Sequence, residues 1–434
     1  MLGSAVQNII AVSDSVFLYH KSELDFQAIS IVSIFYLIVS AIGFGFSRGG
    51  QILIAKQHGA NNIVGIKKHF YTLLIFEFIL ASIIFLSIRF FGEEMLSLFI
   101  NDQVLLDKGM EYLMPRSLGI FFSYLGVGIV AYYTGVSKPK FIVVDTLFLA
   151  VINIIFNYIF IFGKYGFEEM GIAGAGLASA LAEFCAFVLF ILYMIVERNP
   201  VVKNIFKRPE LDLKLFKEIF NISINIVLQV IVGLGSWLIF FGIIENLGRH
   251  ELGISNIIRV IYLLLSVPTW GFASAMNTIS SNLIGKRAFD EIMPATKKVM
   301  ILNVALTMLI SVPVLVFPEQ LLYPFFGKED MTLIQDAQPI FYILIAIMFL
   351  FSFGSVYFDS LIGMGKTGWG FILKLITSVF YLMMLYVVVE YSTYGLKMAW
   401  ATEIFYWILI TGVSLYYFFT VDWKTELINE SVTS

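Results

Sequence analysis

An acid and two amides stand out because each falls inside a long apolar stretch of the sequence. Asp14 lies in the first such stretch, and Asn153 and Asn157 lie four residues apart in a later one. Residues four apart lie on one side of a helix. An ionisable side chain inside a membrane span is costly, so it usually faces the protein interior or a water-filled cavity. Together with Ser179 and Glu183 in the next apolar stretch, these residues could form one intramembrane polar site.

The chemistry that such a site would support is cation binding. A carboxylate with neutral amide and hydroxyl oxygens is the ligand set of a hard cation, whereas a carboxyl group in a low dielectric can instead bind a proton at ordinary pH. Sodium would make Asp14 and Asn157 the predicted metal ligands. The competing interpretation is that these side chains only form hydrogen bonds between helices, as Asn and Ser often do in membranes.

Further polar residues inside apolar stretches are weaker candidates, because several lie near span ends, from which long side chains reach the interface. They are Glu183, Gln229, Asn225 and Asp359, and then Glu77, Asp145, Glu403, Arg48, Arg259 and Lys374. Of these, Asp359 and Glu403 stay open as functional candidates.

The composition is that of a membrane protein. Of the 434 residues, 59% are hydrophobic and 14% are charged, and the mean hydropathy is +0.88, whereas soluble domains are about one quarter charged. A helix needs about 20 apolar residues to span a bilayer, so about twelve spans would leave no room for a large soluble domain. These values exclude a cytosolic enzyme, and we predict no enzymatic activity.

Charge, cysteine and glycine patterns exclude several partners. The net charge of -3 provides no basic excess for binding nucleic acid, and a single cysteine, Cys185, can build neither a disulfide framework nor a Cys-based metal site. Gly365, Lys366 and Thr367 resemble the end of a phosphate-binding loop, but the required first glycine is Ser360 and no strand precedes it. We therefore predict no nucleotide site and no cofactor, which leaves an ion gradient as the energy source.

Apolar runs recur along the chain at the length of helices, since barrel strands would be half as long and would alternate in polarity. We predict an all-α polytopic membrane protein with about twelve spans, which begin near Leu2, Phe26, Phe70, Arg116, Phe141, Gly171, Ile219, Gly253, Val299, Pro339, Trp369 and Met398. Lys and Arg favour the connections on the amino-terminal side, which predicts that both termini are cytoplasmic. The charged stretch 197–218 divides two six-helix lobes, 1–196 and 219–421, and a cytoplasmic tail follows at 422–434.

The two halves of the sequence resemble each other. Residues at the end of the second span match residues at the end of the eighth at offsets near 226, namely Gly45, Phe46, Ser47 and Gly59 with Gly271, Phe272, Ser274 and Gly285. At an offset of 224, Gly171, Ile172 and Ala175 match Gly395, Leu396 and Ala399. Each half has six spans, an even number, so both halves start on the same side of the membrane. They therefore form a parallel repeat, which is a transporter architecture.

The polar site does not share this repeat. Asp14 maps to Phe240 at an offset of 226, and Asn153 and Asn157 map near Thr377 and Tyr381 at 224. Because the scaffold does not need the polar cluster twice, the asymmetry favours a functional role for it.

The chain resembles the multidrug and toxic compound extrusion (MATE) family over nearly its whole length, and three stretches of sequence carry the resemblance. They are Gln7 to Val12 with Asp14, Phe17 and Leu18; Gly43 to Gly45 with Gln51, Ile54, Ala55, Gly59, Ala60 and Asn62; and Asn153, Ile154, Asn157, Tyr158, Ile161, Phe162, Gly163, Met170, Gly171, Ile172, Gly174 and Ala175. The resemblance implies a twelve-helix, two-lobed exporter that expels organic cations in exchange for sodium ions or protons.

The resemblance also implies roles for particular residues. Asp14 matches the cation-binding carboxylate of the family's first helix, Asn153 and Asn157 match the fifth-helix positions beside it, and Ser179 lies where members often have Thr. Members with a second cation site carry an acid in the seventh helix, where this chain has Gln229 and Ile231.

Asp359 does not align with the tenth-helix acid of those members, so the resemblance does not support a second cation site in the carboxy-terminal lobe and leaves the question open. Relatives have a short lead with a Pro before the first helix, so either this sequence starts late or its first helix is short.

Two alternatives stay open. A lipid-linked oligosaccharide flippase of the same superfamily would need several intramembrane cations for a pyrophosphate, but only Arg48 and Arg259 lie well inside the predicted spans. A channel would need polar rings in both halves.

The expected partners are small organic cations and the lipid bilayer of the inner or plasma membrane, and we expect a monomer.

Overall fold

The computed structural model describes residues 2–198, 212–318, 331–391 and 395–433. Within these ranges the chain forms fourteen α-helices and one short 3-10 helix, and it has no strand. The helices are α1 Leu2–Tyr19, α2 Glu23–Gly59, α3 Ile63–Ser97, α4 Gln103–Arg116, α5 Gly119–Gly135, α6 Lys140–Phe162, α7 Gly171–Val196, α8 Leu213–Glu245, α9 Arg249–Gly285, α10 Ile292–Val316, α11 Met331–Gly363, α12 Thr367–Tyr391, α13 Gly395–Thr420 and α14 Trp423–Thr433. The predicted all-α fold class is confirmed.

Most of the helices are long and apolar enough to cross a membrane. Among the described residues ten helices meet this condition, or eleven if the bent pair α4 and α5 forms one span. Helix α1, the first of the twelve predicted spans, is not one of the ten; it has only 18 residues, which include Gln7, Asn8 and Asp14. A multi-pass membrane protein follows from this composition.

The predicted start of the fourth span at Arg116 lies three residues before the start of α5 at Gly119, and an additional helix, α4, precedes it. Helix α4 begins at Gln103 and ends at Arg116, and α5 continues from Gly119 after a bend of 54°. Pro115 lies at this bend, and a proline lacks the backbone N–H that a continuous helix needs. Arg116 lies at this bend, and its side chain is fully shielded from solvent.

The helices form two compact units, Leu2–Val227 and Leu228–Ser434, which we call the N-unit and the C-unit. The limit between them falls inside α8. The predicted lobe limits at 196 and 219 stay a prediction, because most of the predicted connection 197–218, from 199 to 211, lies outside the described residues; so does the last residue of the predicted tail, 434.

Close packing in the N-unit depends on small residues. Helix α1 packs against α2 and α6, and α7 packs against α4, α5 and α6. A Cβ at Gly176 of α7 would collide with the backbone oxygen of Tyr112 on α4, and a Cβ at Gly119 would collide with the carboxylate of Glu183. These glycines let α4, α5 and α7 approach closely, which brings their polar residues together.

Candidate functional site

The carboxyl group of Asp14 lies at the meeting point of four helices of the N-unit. Oδ1 accepts hydrogen bonds from Nδ2 of Asn157 at 2.7 Å and from Nδ2 of Asn153 at 3.2 Å, both on α6. Oδ2 accepts from Oγ of Ser179 on α7 at 2.7 Å and from the hydroxyl of Tyr112 on α4 at 2.9 Å. Sequence spacing placed the first three donors near Asp14, and the structure brings them into direct contact.

All of these side chains are shielded from solvent. Asp14, Asn153, Asn157 and Ser179 are 0% exposed, and Tyr112 is 3% exposed. Asp14 forms no ion pair with the residues that the structure describes, so its charge is held by four neutral donors. A buried carboxylate with such donors is stabilised as an anion but is not neutralised.

Tyr112 was missed by the sequence analysis. It lies on α4, which was not recognised as part of a span, and a tyrosine in an aromatic-rich chain carries no signal of its own. The one sequence feature that points to it is Arg116 on the next turn of the same helix, since a charge near an apolar stretch marks a polar surface.

The two amides are linked to each other and to α7. Nδ2 of Asn157 lies 3.3 Å from Oδ1 of Asn153, and Nδ2 of Asn153 donates to Oγ of Ser179 at 3.0 Å. Oδ1 of Asn157 is buried and has no hydrogen-bond partner among the residues that the structure describes. A carbonyl oxygen of this kind beside a carboxylate suits a hard cation such as sodium.

A buried ion pair lies next to this cluster. Nη1 and Nη2 of Arg116 donate to Oε2 and Oε1 of Glu183 at 2.5 and 2.7 Å, and the two side chains are 0% and 2% exposed. The guanidinium carbon lies 3.9 Å from the centroid of the Tyr36 ring. Glu183 was a predicted polar candidate, and its partner is a finding of the structure. Arg116 is thus a buried cation that the sequence analysis did not count beside Arg48 and Arg259, and Glu183 balances its charge.

A cavity of about 140 Å³ lies beside the cluster. Tyr112 contributes both to the wall of this cavity and to the shell of Asp14, and Arg116 and Tyr36 line it as well. The remaining lining residues are Ile10, Ala11, Ser33, Ile34 and Leu37. The cavity and the shell of Asp14 therefore share the Tyr112 side chain.

The other predicted candidates do not join this cluster. Nε2 of Gln229 donates to the carbonyl oxygen of Thr367 at 3.1 Å within the C-unit, and Nδ2 of Asn225 donates to the carbonyl oxygen of Asn221 at 3.0 Å on its own helix. Asp359 is buried on α11 in the C-unit. The described part of the chain holds no group of three or more His, Cys, Asp or Glu side chains that could bind a metal ion.

Comparison with known proteins identifies the family. The family model MatE matches residues 1–159 and, a second time, residues 225–387. The chain belongs to the MATE family. The second match starts at residue 225 and the first at residue 1, an offset of 224, which agrees with the internal repeat found in the sequence.

The relatives of this MATE chain are multidrug resistance proteins. A probable multidrug resistance protein NorM of Thermotoga maritima is 23% identical over 98% of this chain and 91% of its own length. A probable multidrug resistance protein YoeA of Bacillus subtilis is 21% identical over 69% of this chain and 65% of its own length. Members of the family are transporters, so this MATE chain is an efflux transporter and not an enzyme.

Solved structures share the fold. A MATE crystal structure in the bent conformation superposes with a TM-score of 0.88 at 18% identity and covers 100% of this chain and 94% of that one. The outward-facing conformation of a multidrug resistance MATE family transporter superposes with a TM-score of 0.85 at 19% identity, with the same coverage. At these identities the likeness concerns the fold alone.

Proposed function

We propose that this MATE protein exports organic cations in exchange for sodium ions or protons, and that Asp14 is the carboxylate that binds the coupling cation. The observation that carries the proposal is the shell of Asp14: a fully buried acid with four neutral hydrogen-bond donors and no ion-pair partner among the described residues. A buried charge inside a membrane span is costly, so an acid in this environment usually has a functional role.

Cation binding would rearrange the hydrogen bonds around Asp14. All four neighbours direct a donor hydrogen at the carboxylate, so an arriving cation or proton requires at least one of them to turn away. The hydroxyls of Ser179 and Tyr112 can rotate, and a flip of the Asn157 amide would present its unpartnered oxygen to a metal ion. The donors belong to α4, α6 and α7, so occupancy of the site changes how these helices are tied to α1.

Coupling requires that the cation bind the two states of the transporter with different affinity. A bond network that connects four helices provides such a difference, because a shift of any one helix changes the shell of Asp14. An inward-moving monovalent cation gains about 2.3 kcal/mol per 100 mV of membrane potential. An exported monovalent organic cation loses the same amount, so in a one-for-one exchange the concentration gradient of the coupling ion supplies the driving force.

The cavity beside Tyr112 suits the coupling ion better than the exported compound. Its volume of about 140 Å³ is below the roughly 300–1,000 Å³ of pockets for drug-sized ligands. The polar residues of its wall are Ser33, Tyr36, Tyr112 and Arg116, and Glu183 balances the charge of Arg116. We assign this cavity as the route by which the cation reaches Asp14.

The membrane arrangement is part of the same proposal. Both termini lie in the cytoplasm of a cell whose inner or plasma membrane holds the protein, the lobes comprise residues 1–196 and 219–421, and one chain is sufficient for transport. The Lys and Arg distribution supports the orientation, and the double match to the family model supports the two lobes.

The experiment measures export of a fluorescent organic cation from proteoliposomes under an imposed sodium gradient and, separately, a proton gradient. We expect one gradient to drive export and Asp14→Asn to abolish it, because an amide cannot carry the compensating charge. Glu168→Gln is the matched control, since Glu168 is an exposed acid in the loop between α6 and α7. Full export by well-folded Asp14→Asn protein, or no response of the wild type to either gradient, would contradict the proposal.

A further inference from the structure

A second buried carboxyl group lies in the C-unit. Glu403 on α13 is 5% exposed, and its Oε1 accepts a hydrogen bond from the hydroxyl of Tyr381 on α12 at 3.1 Å. The ion pairs that the structure describes in this unit, Lys366–Glu426, Lys424–Asp290 and His250–Asp336, do not include it. Glu403 is thus a buried acid whose described neighbours provide no compensating cation.

The position of Glu403 corresponds to the Asp14 cluster through the internal repeat. The offset of 224 that aligns the start of α7 with the start of α13 places Glu403 on Ser179 and Tyr381 on Asn157. Asp14 itself corresponds to Phe240, whose ring stacks on that of Tyr381 at 6.4 Å. The C-unit therefore has an acid at the repeat-related location, but on the helix that corresponds to α7 instead of α1.

The surroundings of Glu403 are aromatic. Tyr262 from α9 and Tyr406 from α13 lie close enough to interact with its charge, and Trp237 from α8 is a near neighbour of the carboxyl group. Of the nearby hydroxyls, Tyr381 is the one that reaches it at hydrogen-bond distance. A metal ion needs several oxygen ligands, whereas a proton needs one, so this shell suits a proton.

We propose that Glu403 is a second proton-binding site, carried by the C-unit. The inference deepens the proposed function, on which it rests, because it gives each half of the repeat one acid that binds a coupling cation. The titratable side chains that face Glu403 are Tyr262, Tyr381 and Tyr406, none of which is a cation, so its protonation is the event that neutralises it. The two sites then differ in kind, with oxygen and amide groups around Asp14 and aromatic groups around Glu403.

The tryptophans offer a direct measurement of this protonation. All six lie between residues 237 and 423, so their fluorescence reports on the C-unit alone. Trp237 is near the carboxyl group, Trp400 packs on Phe240 at 5.1 Å, and Trp407 packs on Tyr406 at 5.2 Å. Purified protein in detergent is titrated between about pH 5 and pH 9 without substrate or gradient.

We expect a single-proton fluorescence transition in the wild type, the same transition in Asp14→Asn, and its loss in Glu403→Gln. A transition that persists unchanged in Glu403→Gln would overturn the proposal, and so would a wild-type response to sodium at constant pH that Glu403→Gln removes. If Glu403→Gln melts far below the wild type, Tyr381→Phe replaces it. This variant keeps the acid but removes a donor to its ionised form, so the transition moves to higher pH.

Transport separates this inference from the proposed function. In proteoliposomes driven by a pH gradient, loss of one of two coupled protons lowers the maximum accumulation about tenfold per pH unit. We expect that reduction in Glu403→Gln and complete loss in Asp14→Asn. Unaffected export in Asp14→Asn would refute the proposed function while leaving the fluorescence result for Glu403 intact, and unaltered accumulation in Glu403→Gln would refute a role for its proton in coupling.

Discussion

The N-unit and the C-unit share a repeated scaffold, but different chemical groups surround the buried acid in each unit. Asp14 accepts four hydrogen bonds from amide and hydroxyl groups on three neighbouring helices. Glu403 accepts a hydrogen bond from Tyr381, has the Trp237 side chain as a second hydrogen-bonding neighbour, and lies among aromatic rings. The contrast shows that a repeat preserves helix packing more strictly than it preserves polarity. Packing constrains every position along a helix, whereas a cation site needs only a few side chains.

The same contrast applies to the buried ion pair. Gly135 and Lys138 match Gly363 and Lys366 at an offset of 228, which makes Leu344 the counterpart of Arg116. The offset of 224 for the sixth span makes Trp407 the counterpart of Glu183. Leu344 is fully buried in the apolar core of the C-unit, and Trp407 packs against that core. The scaffold thus accepts either an ion pair or an apolar pair at these positions, which indicates that the fold does not require the charges.

The largest effect is expected from breaking this pair. Arg116→Ala leaves the Glu183 carboxylate buried without its partner, which costs about 3–5 kcal/mol. The double variant Arg116→Met with Glu183→Leu removes both charges and recovers most of that loss, as the apolar pair of the C-unit suggests. Thermal unfolding in detergent measures both. A double variant as unstable as Arg116→Ala would show that the ion pair itself is needed for folding.

A smaller effect is expected from the tyrosine hydroxyls, which allow a matched comparison of the two acids. Tyr112→Phe removes one of four donors to the Asp14 carboxylate, and a hydrogen bond to a charged group contributes about 1.5–3 kcal/mol. We therefore expect export at saturating drive to survive, while the concentration of coupling cation that gives half the maximal rate shifts by about tenfold or more.

The comparison variant is Tyr381→Phe, which changes the corresponding contact in the C-unit. It should leave the half-saturating cation concentration at the Asp14 site unchanged. Equal shifts in both variants would mean that the two acids do not act as separate sites.

The smallest effect concerns Glu77, a fully buried acid on α3 of the N-unit. The hydroxyl of Ser47 donates to its Oε1 at 2.7 Å, and Asn303 stands at the repeat-related position of the C-unit. Ser47→Ala leaves a buried acceptor unsatisfied, which costs about 1–3 kcal/mol. Ser82→Ala is the control, because that hydroxyl bonds to a carbonyl of its own exposed helix face. Identical melting temperatures for the two variants would contradict the assigned bond.

Part of the candidate site could be predicted from the sequence because membrane burial penalises polar residues. Asp14, Asn153, Asn157 and Ser179 were recognisable since each interrupts an apolar run, and helical spacing put the two amides on one face. The predicted donors contact Asp14 in the structure. The spans could be predicted from the same penalty. The repeat could be predicted from residue matches at offsets between 224 and 228.

Other parts could not be predicted, because they depend on which faces of distant segments meet. Tyr112 reaches Asp14 across 98 residues of chain, and Arg116 reaches Glu183 across 67. Helix α4 was overlooked because its composition is that of a connection: α4 and α5 qualify as a span only together, and they are separated by the bend after Pro115.

The sequence by itself determined that the chain is a helical membrane protein of two repeated halves, and which polar residues had to be buried. Apolar length and the cost of an intramembrane charge act locally, so they can be read from a single segment. Only the tertiary structure decided that Tyr112 completes the shell of Asp14, that Arg116 is neutralised by Glu183, and that Tyr381 donates a hydrogen bond to Glu403. Those pairings depend on helix rotation and close packing at glycines, which no one segment encodes.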